Sequence, residues 1–132
     1  NVWSQVGAGI VGTLPEPVAE TDFLKKVKQT FEVGCVMHSR QTGRLIQKVA
    51  LCGGSGAFLL PNAVRANADV FITGEVKYHD YFFYEKDILI AAIGHYESEQ
   101  YTKEIFYSIL KEMFPRLTVE MTRVNTNPIK YL

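Results

Sequence analysis

Hydrophobic and polar positions follow two patterns in the first part of the chain, one typical of helices and one typical of strands. Residues 22–31 have helical periodicity, and Thr21 in front of them is a suitable N-cap. The apolar positions of this helix are Phe23, Leu24, Val27 and Phe31. Residues 33–39 and 45–52 are rich in β-type residues, and the polar turn between them predicts that they pair as a hairpin.

The same alternation continues to the end of the chain. Further helices are predicted at residues 57–68, 76–85 and 95–114, and further strands at residues 69–73, 87–93 and 117–124. The first of these helices should begin between Ala57 and Pro61, because proline is tolerated in the first turn of a helix. The predicted buried stripe of the last helix consists of Tyr101, Ile105, Ile109 and Met113.

The centres of three predicted strands, at residues 49–51, 70–72 and 89–91, are continuously apolar. Such segments are typical of parallel strands that are covered on both faces. We therefore predict an α/β fold with a mixed, largely parallel sheet flanked by helices. A chain of 132 residues that is 47% hydrophobic can bury one core, so residues 1–132 are expected to form a single domain.

Composition narrows the range of functions and locations. Lys+Arg and Asp+Glu both number 14, so no bulk positive charge favours nucleic acid. No apolar stretch reaches the roughly 20 residues that cross a bilayer, so we expect no membrane partner. Cys35 and Cys52 are predicted to be buried reduced thiols, which favours a cytoplasmic location. The chain starts with Asn1 and a strand-like segment, so we expect an excised domain of a longer polypeptide.

The unusual polar residues follow the strands that end at Cys52, Thr73 and Ile93. Because consecutive βαβ units are right-handed, the loops after these strands should meet at one edge of the sheet. Besides glycines, these loops and the helix starts behind them contain Ser55, Glu75, Lys77, His79, His95 and Glu99. This combination predicts a polar pocket at the carboxyl edge of the sheet.

His95 and Glu99 are the strongest signal at this edge. In a helix that begins at His95 they stand at i and i+4 on one face, with Cβ atoms about 5–6 Å apart. This spacing allows them to bind one or two divalent cations, and imidazole with carboxylate suits zinc, manganese, iron or cobalt. A helix-start histidine beside a solvated acid fits the same spacing. Two ligands do not complete a site, so others must come from elsewhere in the protein or from His79 or Glu75.

Other motifs allow several interpretations. The Gly-Gly-Ser-Gly loop at residues 53–56 fits either a phosphate-binding loop or a tight turn, and Ser55 fits a nucleophile only with partners that the sequence does not identify. Lys77 and His79 fit pocket residues, with His79 either a proton donor or a surface histidine. Residues 7–12 match the letters of a dinucleotide-binding loop, but no helix follows, so they are predicted to be a structural turn.

Five short motifs occur in order along the chain. They read GAGIVG, LCGGSG, ITGEVKYHD, GHYESE and NTNPIKY, at residues 7–12, 51–56, 72–80, 94–99 and 125–131. In this order they resemble the C-terminal part of the NIF-three-like family, also known as GTP cyclohydrolase I type 2 homologues. The resemblance covers the whole chain, and several motifs together are more specific than any single one.

The resemblance implies an α/β fold with a two-metal centre between two similar halves, and assembly into a ring-like homohexamer. His95 and Glu99 match the C-terminal metal ligands, while the N-terminal half of the site matches no segment of this chain. The implied cofactors are divalent metal ions, about two per full-length chain. On this basis the chain is expected to be the C-terminal domain of a longer protein.

The implied activity is metal-dependent hydrolysis of a nucleotide or phosphoester, with GTP suggested by the family name. Ser55, Lys77 and His79 would surround the substrate, and the isolated domain would be inactive. The alternative is a non-catalytic, metal-binding oligomeric scaffold or regulatory module. A run of four aromatic residues at 81–84 favours an oligomer contact, because four successive side chains cannot all face one core.

Overall fold

The computed structural model of the protein describes residues 6–130 and 132. The predicted strand-like start of the chain at residues 1–5, and Tyr131 of the last motif, lie outside the described residues. The strands are β1 (Ile10–Ala19), β2 (Met37–His38), β3 (Leu45–Cys52), β4 (Val70–Thr73) and β5 (Leu89–Ala92). The helices are α1 (Glu20–Thr30), α2 (Leu60–Arg65), α3 (Tyr78–Tyr84), α4 (His95–Glu99) and α5 (Thr102–Met113), and a 3-10 turn at Gly56–Leu59 precedes α2.

The five strands form one mixed sheet in the order β1-β3-β4-β5-β2. β3, β4 and β5 are parallel, while β1 and β2 are antiparallel to their neighbours at the two ends. Every residue of β4 and β5 is buried, because helices cover both faces of the sheet centre. The predicted α/β class and the mixed sheet are therefore confirmed, with three of the five strands parallel to one another.

Successive residues of β4 contribute to opposite cores, as the two-residue period of a strand requires. Val70 and Ile72 join Phe23 and Val27 of α1 on one face of the sheet. Phe71, only 1% exposed, lies on the other face with the residues of α2. The two cores hold the strand ends in place, and with them the loops described below.

The predicted hairpin of residues 33–39 with residues 45–52 is wrong. Only Met37 and His38 form a strand there, and they pair with β5 rather than with β3. Both edges of β3 are already occupied, by β1 on one side and β4 on the other. Sequence proximity favoured the hairpin, but the parallel pairing of β3 with β4 leaves no free edge.

Two predictions for the ends of elements are corrected and one is confirmed. α1 begins at Glu20, so Thr21 lies inside the first turn and Ala19 occupies the N-cap position. Residues 10–12 of the predicted Gly-rich turn belong to β1, where Ile10 lies opposite Leu51 of β3. α2 begins at Leu60 with proline in its first turn, inside the predicted range.

The C-terminal part departs most from the sequence prediction. The single helix predicted for residues 95–114 is divided into α4 and α5 by a turn at residues 100–101. No residue of α5 is buried; Ile105, Ile109 and Met113 of the predicted stripe are 58%, 44% and 65% exposed. The strand predicted at residues 117–124 is not formed, because this segment pairs with no strand among the described residues.

The two cysteines and the aromatic residues of α3 differ in how far they are buried. Both cysteines are free thiols; Cys52 is buried as predicted, but Cys35 is exposed, because it lies in the loop before β2 rather than in a strand. In the aromatic run of α3, Tyr81 and Tyr84 pack on the core while Phe82 and Phe83 are exposed. Within the described part of the chain, no helix has the length and apolar character needed to span a membrane.

Candidate functional site

Three loops meet at the carboxyl edge of the parallel strands. The amides of Gly74 and Glu75, after β4, both donate to Gly54 O, after β3, at 2.9 and 3.1 Å. The amide of Gly94, after β5, donates to Gly74 O at 3.0 Å. The predicted meeting of these loops at one edge is therefore confirmed, and their backbones stack directly on one another.

Glycine is required where the loops stack. A Cβ atom on Gly74 would lie 2.6 Å from Gly54 O and 2.8 Å from Ser98 Oγ, closer than side-chain atoms pack. Gly54 has a φ of +61°, in the left-handed region, and a Cβ atom there would collide with the Glu99 carboxylate. The glycines thus allow three backbones and one acidic side chain to share a small space.

Two backbone amides of the Gly-Gly-Ser-Gly loop are hydrogen-bonded to side chains elsewhere in the protein. Gly54 N donates to Ser98 Oγ at 2.8 Å, and Gly56 N donates to Thr73 Oγ1 at 3.0 Å. Two of the amides that a phosphate would need are therefore already bonded, which favours the tight-turn interpretation over the phosphate-binding loop.

His95 stands at the first position of α4, directly after Gly94, whose φ of +97° turns the chain from β5 into the helix. Its Nε2 atom lies 3.4 Å from Glu99 Oε2, one helical turn away. Its Nδ1 atom lies 3.2 Å from Glu75 Oε1, on the neighbouring loop. The imidazole is therefore held between two carboxylates. It is 43% exposed and each carboxylate side chain is 53% exposed, so solvent and ligands can reach them.

Glu75 connects His95 to Ser55. The Ser55 hydroxyl donates to Glu75 Oε2 at 2.5 Å, and this bond, with the bond from His95, holds the pKa of Glu75 below its ordinary value. Glu75 is thereby kept ionised and accepts from the Nδ1 side of the ring. On the other side of the ring, Nε2 faces the Glu99 carboxylate.

Two clefts adjoin this cluster and share Glu75 as a common wall. One cleft, of about 420 Å³, is lined by Ser55, Lys77 and Asp80 among others. The other, of about 530 Å³, is lined by His95 and Glu99 and by residues of the C-terminal segment. The structure therefore brings Ser55 and Lys77 to the edge where His95 and Glu99 lie, although into the adjoining cleft.

His79 is placed differently from the other candidate residues. It is exposed on α3, its ring lies edge-on to the ring of Tyr78 with centroids 5.4 Å apart, and it does not line either cleft. A role for His79 as proton donor stays a prediction.

Ser98 has no distinctive signal in the sequence, yet it connects two parts of the site. Its hydroxyl accepts from Gly54 N and donates to His95 O, both at 2.8 Å, and so ties the first loop to α4. The available signal was its position between His95 and Glu99 in a motif of five polar or aromatic residues. Serine at that position was indistinguishable from an ordinary helix residue, because its partner lies 44 positions away.

Solved structures of other proteins share this fold. The chain superimposes on the crystal structure of the Staphylococcus aureus protein SA1388 with a TM-score of 0.80 and 25% identity, covering 94% of this chain and 42% of that one. A Bacillus cereus protein related to NIF3 gives a TM-score of 0.79 at 23% identity, covering 96% of this chain and 36% of the other. The second likeness, at this identity, concerns the fold alone.

Curated relatives are similar over nearly the full length of this chain. A "GTP cyclohydrolase 1 type 2 homolog" of Staphylococcus epidermidis is 31% identical over 99% of this chain, and one of Staphylococcus aureus is 30% identical over 98%. The chain spans only 37% and 36% of the lengths of these two relatives. The family model described as Duf34/NIF3 (NGG1p interacting factor 3) matches residues 3–128. The chain therefore belongs to the Duf34/NIF3 family.

Proposed function

We propose that this chain contributes His95 and Glu99 to a divalent-metal centre, and that the centre serves hydrolysis of a nucleotide or phosphoester. The observation that carries the proposal is the placement of the His95 imidazole between Glu75 and Glu99, half-exposed at the edge where three loops meet. A carboxylate on one ring nitrogen with the other nitrogen directed to an open cleft is the usual arrangement of a metal-binding histidine.

The donor set fits a divalent cation. His95 Nε2 and Glu99 Oε2 would hold it, and Glu75 would fix the orientation of the ring through its contact with His95 Nδ1. Among residues 6–130 and 132, no three His, Cys, Asp or Glu side chains form a group able to hold a metal ion. The remaining ligands of this ion, and those of a second ion, would come from outside this part of the protein. Imidazole and carboxylate together suit zinc, manganese, iron or cobalt.

A bound divalent ion lowers the pKa of a coordinated water and stabilises developing negative charge. The residues of this chain would perform the other tasks. Glu99 and His95 would direct the reaction to the mouth of the larger cleft, while Ser55 and Lys77 would contact the substrate from the smaller one. Lys77 is suited to an anionic group, because its ammonium offers three donors and a positive charge. The names of these relatives support a guanine nucleotide as the first substrate to test.

We also propose that the protein acts as a homo-oligomer, with a hexamer as the expected form, and that the N-terminal half of a longer polypeptide completes the centre. The exposed apolar side chains of α5 support this proposal. Ile105, Ile109 and Met113 are spaced four residues apart on one face of α5 and are 58%, 44% and 65% exposed, and large exposed apolar patches are uncommon on monomeric proteins.

The hydrolytic proposal is tested on the full-length protein with Mn²⁺ or Zn²⁺ added after chelation. We expect release of product from GTP or a general phosphoester such as p-nitrophenyl phosphate, lost on chelation and in the His95→Ala variant. A His38→Ala variant is the matched control, because the His38 side chain is exposed and its only hydrogen bond in the described structure is to the backbone oxygen of Ser39. Hydrolysis that persists in His95→Ala would contradict the proposal. Metal binding without hydrolysis, with His95→Ala altering the oligomer, would establish the scaffold alternative.

Replacing Glu75 should weaken metal binding without abolishing it. Glu75→Ala removes the carboxylate behind His95 and should cost about 10–100-fold in affinity, whereas Glu75→Gln keeps an oxygen acceptor and should cost less. Competition with a fluorescent chelator measures both affinities. Glu120→Ala removes an exposed acid and is the control. Equal affinities for all four proteins would show that Glu75 has no role in orienting His95.

A further inference from the structure

Glu97 lies in α4 between the two proposed ligands but makes a different contact. Its Oε1 atom accepts a hydrogen bond at 2.8 Å from Asn127 Nδ2, which is 30 positions away in sequence. Its Oε2 atom is fully buried and has no partner among the described residues. Burying a carboxylate oxygen in this way is unfavourable, so Glu97 differs from an ordinary solvated acid on a helix.

Asn127 organises the segment on the other side of this bond. Its backbone N–H donates to Asn125 Oδ1 at 2.8 Å, and its side-chain Oδ1 accepts from Ile129 N at 3.0 Å. The segment forms no helix or strand. Among the described residues, the Glu97 bond is the only hydrogen bond that joins residues 118–130 to the rest of the protein.

The same segment forms one wall of the larger cleft. The cleft that Glu75, His95 and Glu99 line is also lined by Thr122, Val124, Thr126, Asn127, Pro128 and Ile129. We name residues 122–129 the C-terminal strap. The only hydrogen bond that connects the strap to described residues outside 118–130 ends on Glu97, so the position of this wall should respond to changes at Glu97.

We propose that Glu97 is a positioning residue that anchors the C-terminal strap and thereby sets access to the cleft beside His95 and Glu99. That this cleft is the reaction site rests on the proposed function, whereas the anchoring itself rests on the contacts above. One short helix then performs two tasks with three residues: His95 and Glu99 face the cleft, and Glu97 holds the strap that also lines it.

The test uses the full-length protein and four variants: Glu97→Ala, Glu97→Gln, Asn127→Ala and the double alanine variant. Hydrogen–deuterium exchange of the hydrogen-bonded strap amides of Val124 and Asn127, measured without metal, should rise about tenfold or more in both alanine variants. Glu97→Gln should stay near wild type, because its amide oxygen still accepts from Asn127. The double variant should match Asn127→Ala, because that variant already removes the bond to Glu97 together with the bond from Ile129 N. Glu112→Ala on α5 is the control for loss of an exposed acid.

A second measurement links the strap to the cleft. After loading with Mn²⁺, the rate at which EDTA removes the ion should increase in Glu97→Ala and Asn127→Ala, and not in Glu97→Gln. Unchanged exchange in Glu97→Ala, or an additive effect in the double variant, would overturn the anchor. If the wild type binds no Mn²⁺, the proposed metal centre fails while the exchange data still decide the anchor, so the two failures are distinguishable.

Discussion

Replacing either His95 or Glu99 by alanine should remove stoichiometric metal from the full-length protein. Each is proposed to bind the ion directly, so the loss of affinity should exceed the roughly 10–100-fold effect expected for a residue that only orients a ligand. The two side chains are 3.4 Å apart on adjacent turns of α4, and neither is buried in the core. The fold should therefore survive both substitutions. Elemental analysis of protein purified with metal-free buffers measures the outcome.

Matched controls separate this effect from a general loss of charge or of histidine. His38→Ala removes another exposed histidine, and Glu112→Ala removes an acid from the neighbouring helix α5. Both variants should keep the metal content of the wild type, and circular dichroism should show all four variants folded. If His95→Ala and Glu99→Ala retain as much metal as these controls, the two residues are not ligands.

Gly74→Ala should lower the free energy of unfolding and weaken metal binding at the site. The added methyl group would lie 2.6 Å from Gly54 O and 3.0 Å from His95 Cα, and these are backbone atoms that cannot rotate away. Forcing a methyl group into such a space costs about 1–3 kcal/mol of unfolding free energy. Relief of the clash must separate the loop after β3 from α4, so metal binding should fall as well. Urea denaturation measures the first effect and metal titration the second.

Gly34→Ala provides the comparison. A Cβ atom on Gly34 would meet nothing within 4 Å among the described residues, and its φ is not in the left-handed region. We expect a change within about 0.5 kcal/mol in its unfolding free energy, typical of surface substitutions, with normal metal binding. If Gly74→Ala behaves in the same way, the loops are less closely packed than the structure indicates, and the glycine is not needed there.

Local pattern predicted much of the fold and part of the site. The apolar runs around Leu51, Phe71 and Ile90 identified β3, β4 and β5, because parallel strands buried on both faces carry little polar sequence. The right-handed βαβ rule then placed the three following loops at one edge. The i, i+4 spacing brought His95 and Glu99 together, because the geometry of one helical turn depends only on neighbouring residues.

Contacts between distant residues required the three-dimensional structure. The pairing of β2 with β5, the serine that ties Gly54 to α4, and the bond from Asn127 to Glu97 join positions 30 or more residues apart. Their side chains have no periodic pattern, because one hydrogen bond needs only one donor and one acceptor at the right place. The carboxylate of Glu75 gained its role in the same way, from the stacking of its loop on its neighbours.

The apolar stripe of α5 shows the difference between what the local sequence pattern predicts and what tertiary packing decides. Its periodicity correctly predicts a helix with an apolar face, since side-chain spacing and backbone geometry are local properties. The same periodicity does not say what covers that face, and in this structure Ile105 and Met113 remain exposed. Residue order along the chain determines which surfaces are apolar, whereas packing between elements far apart in sequence determines which of those surfaces are buried.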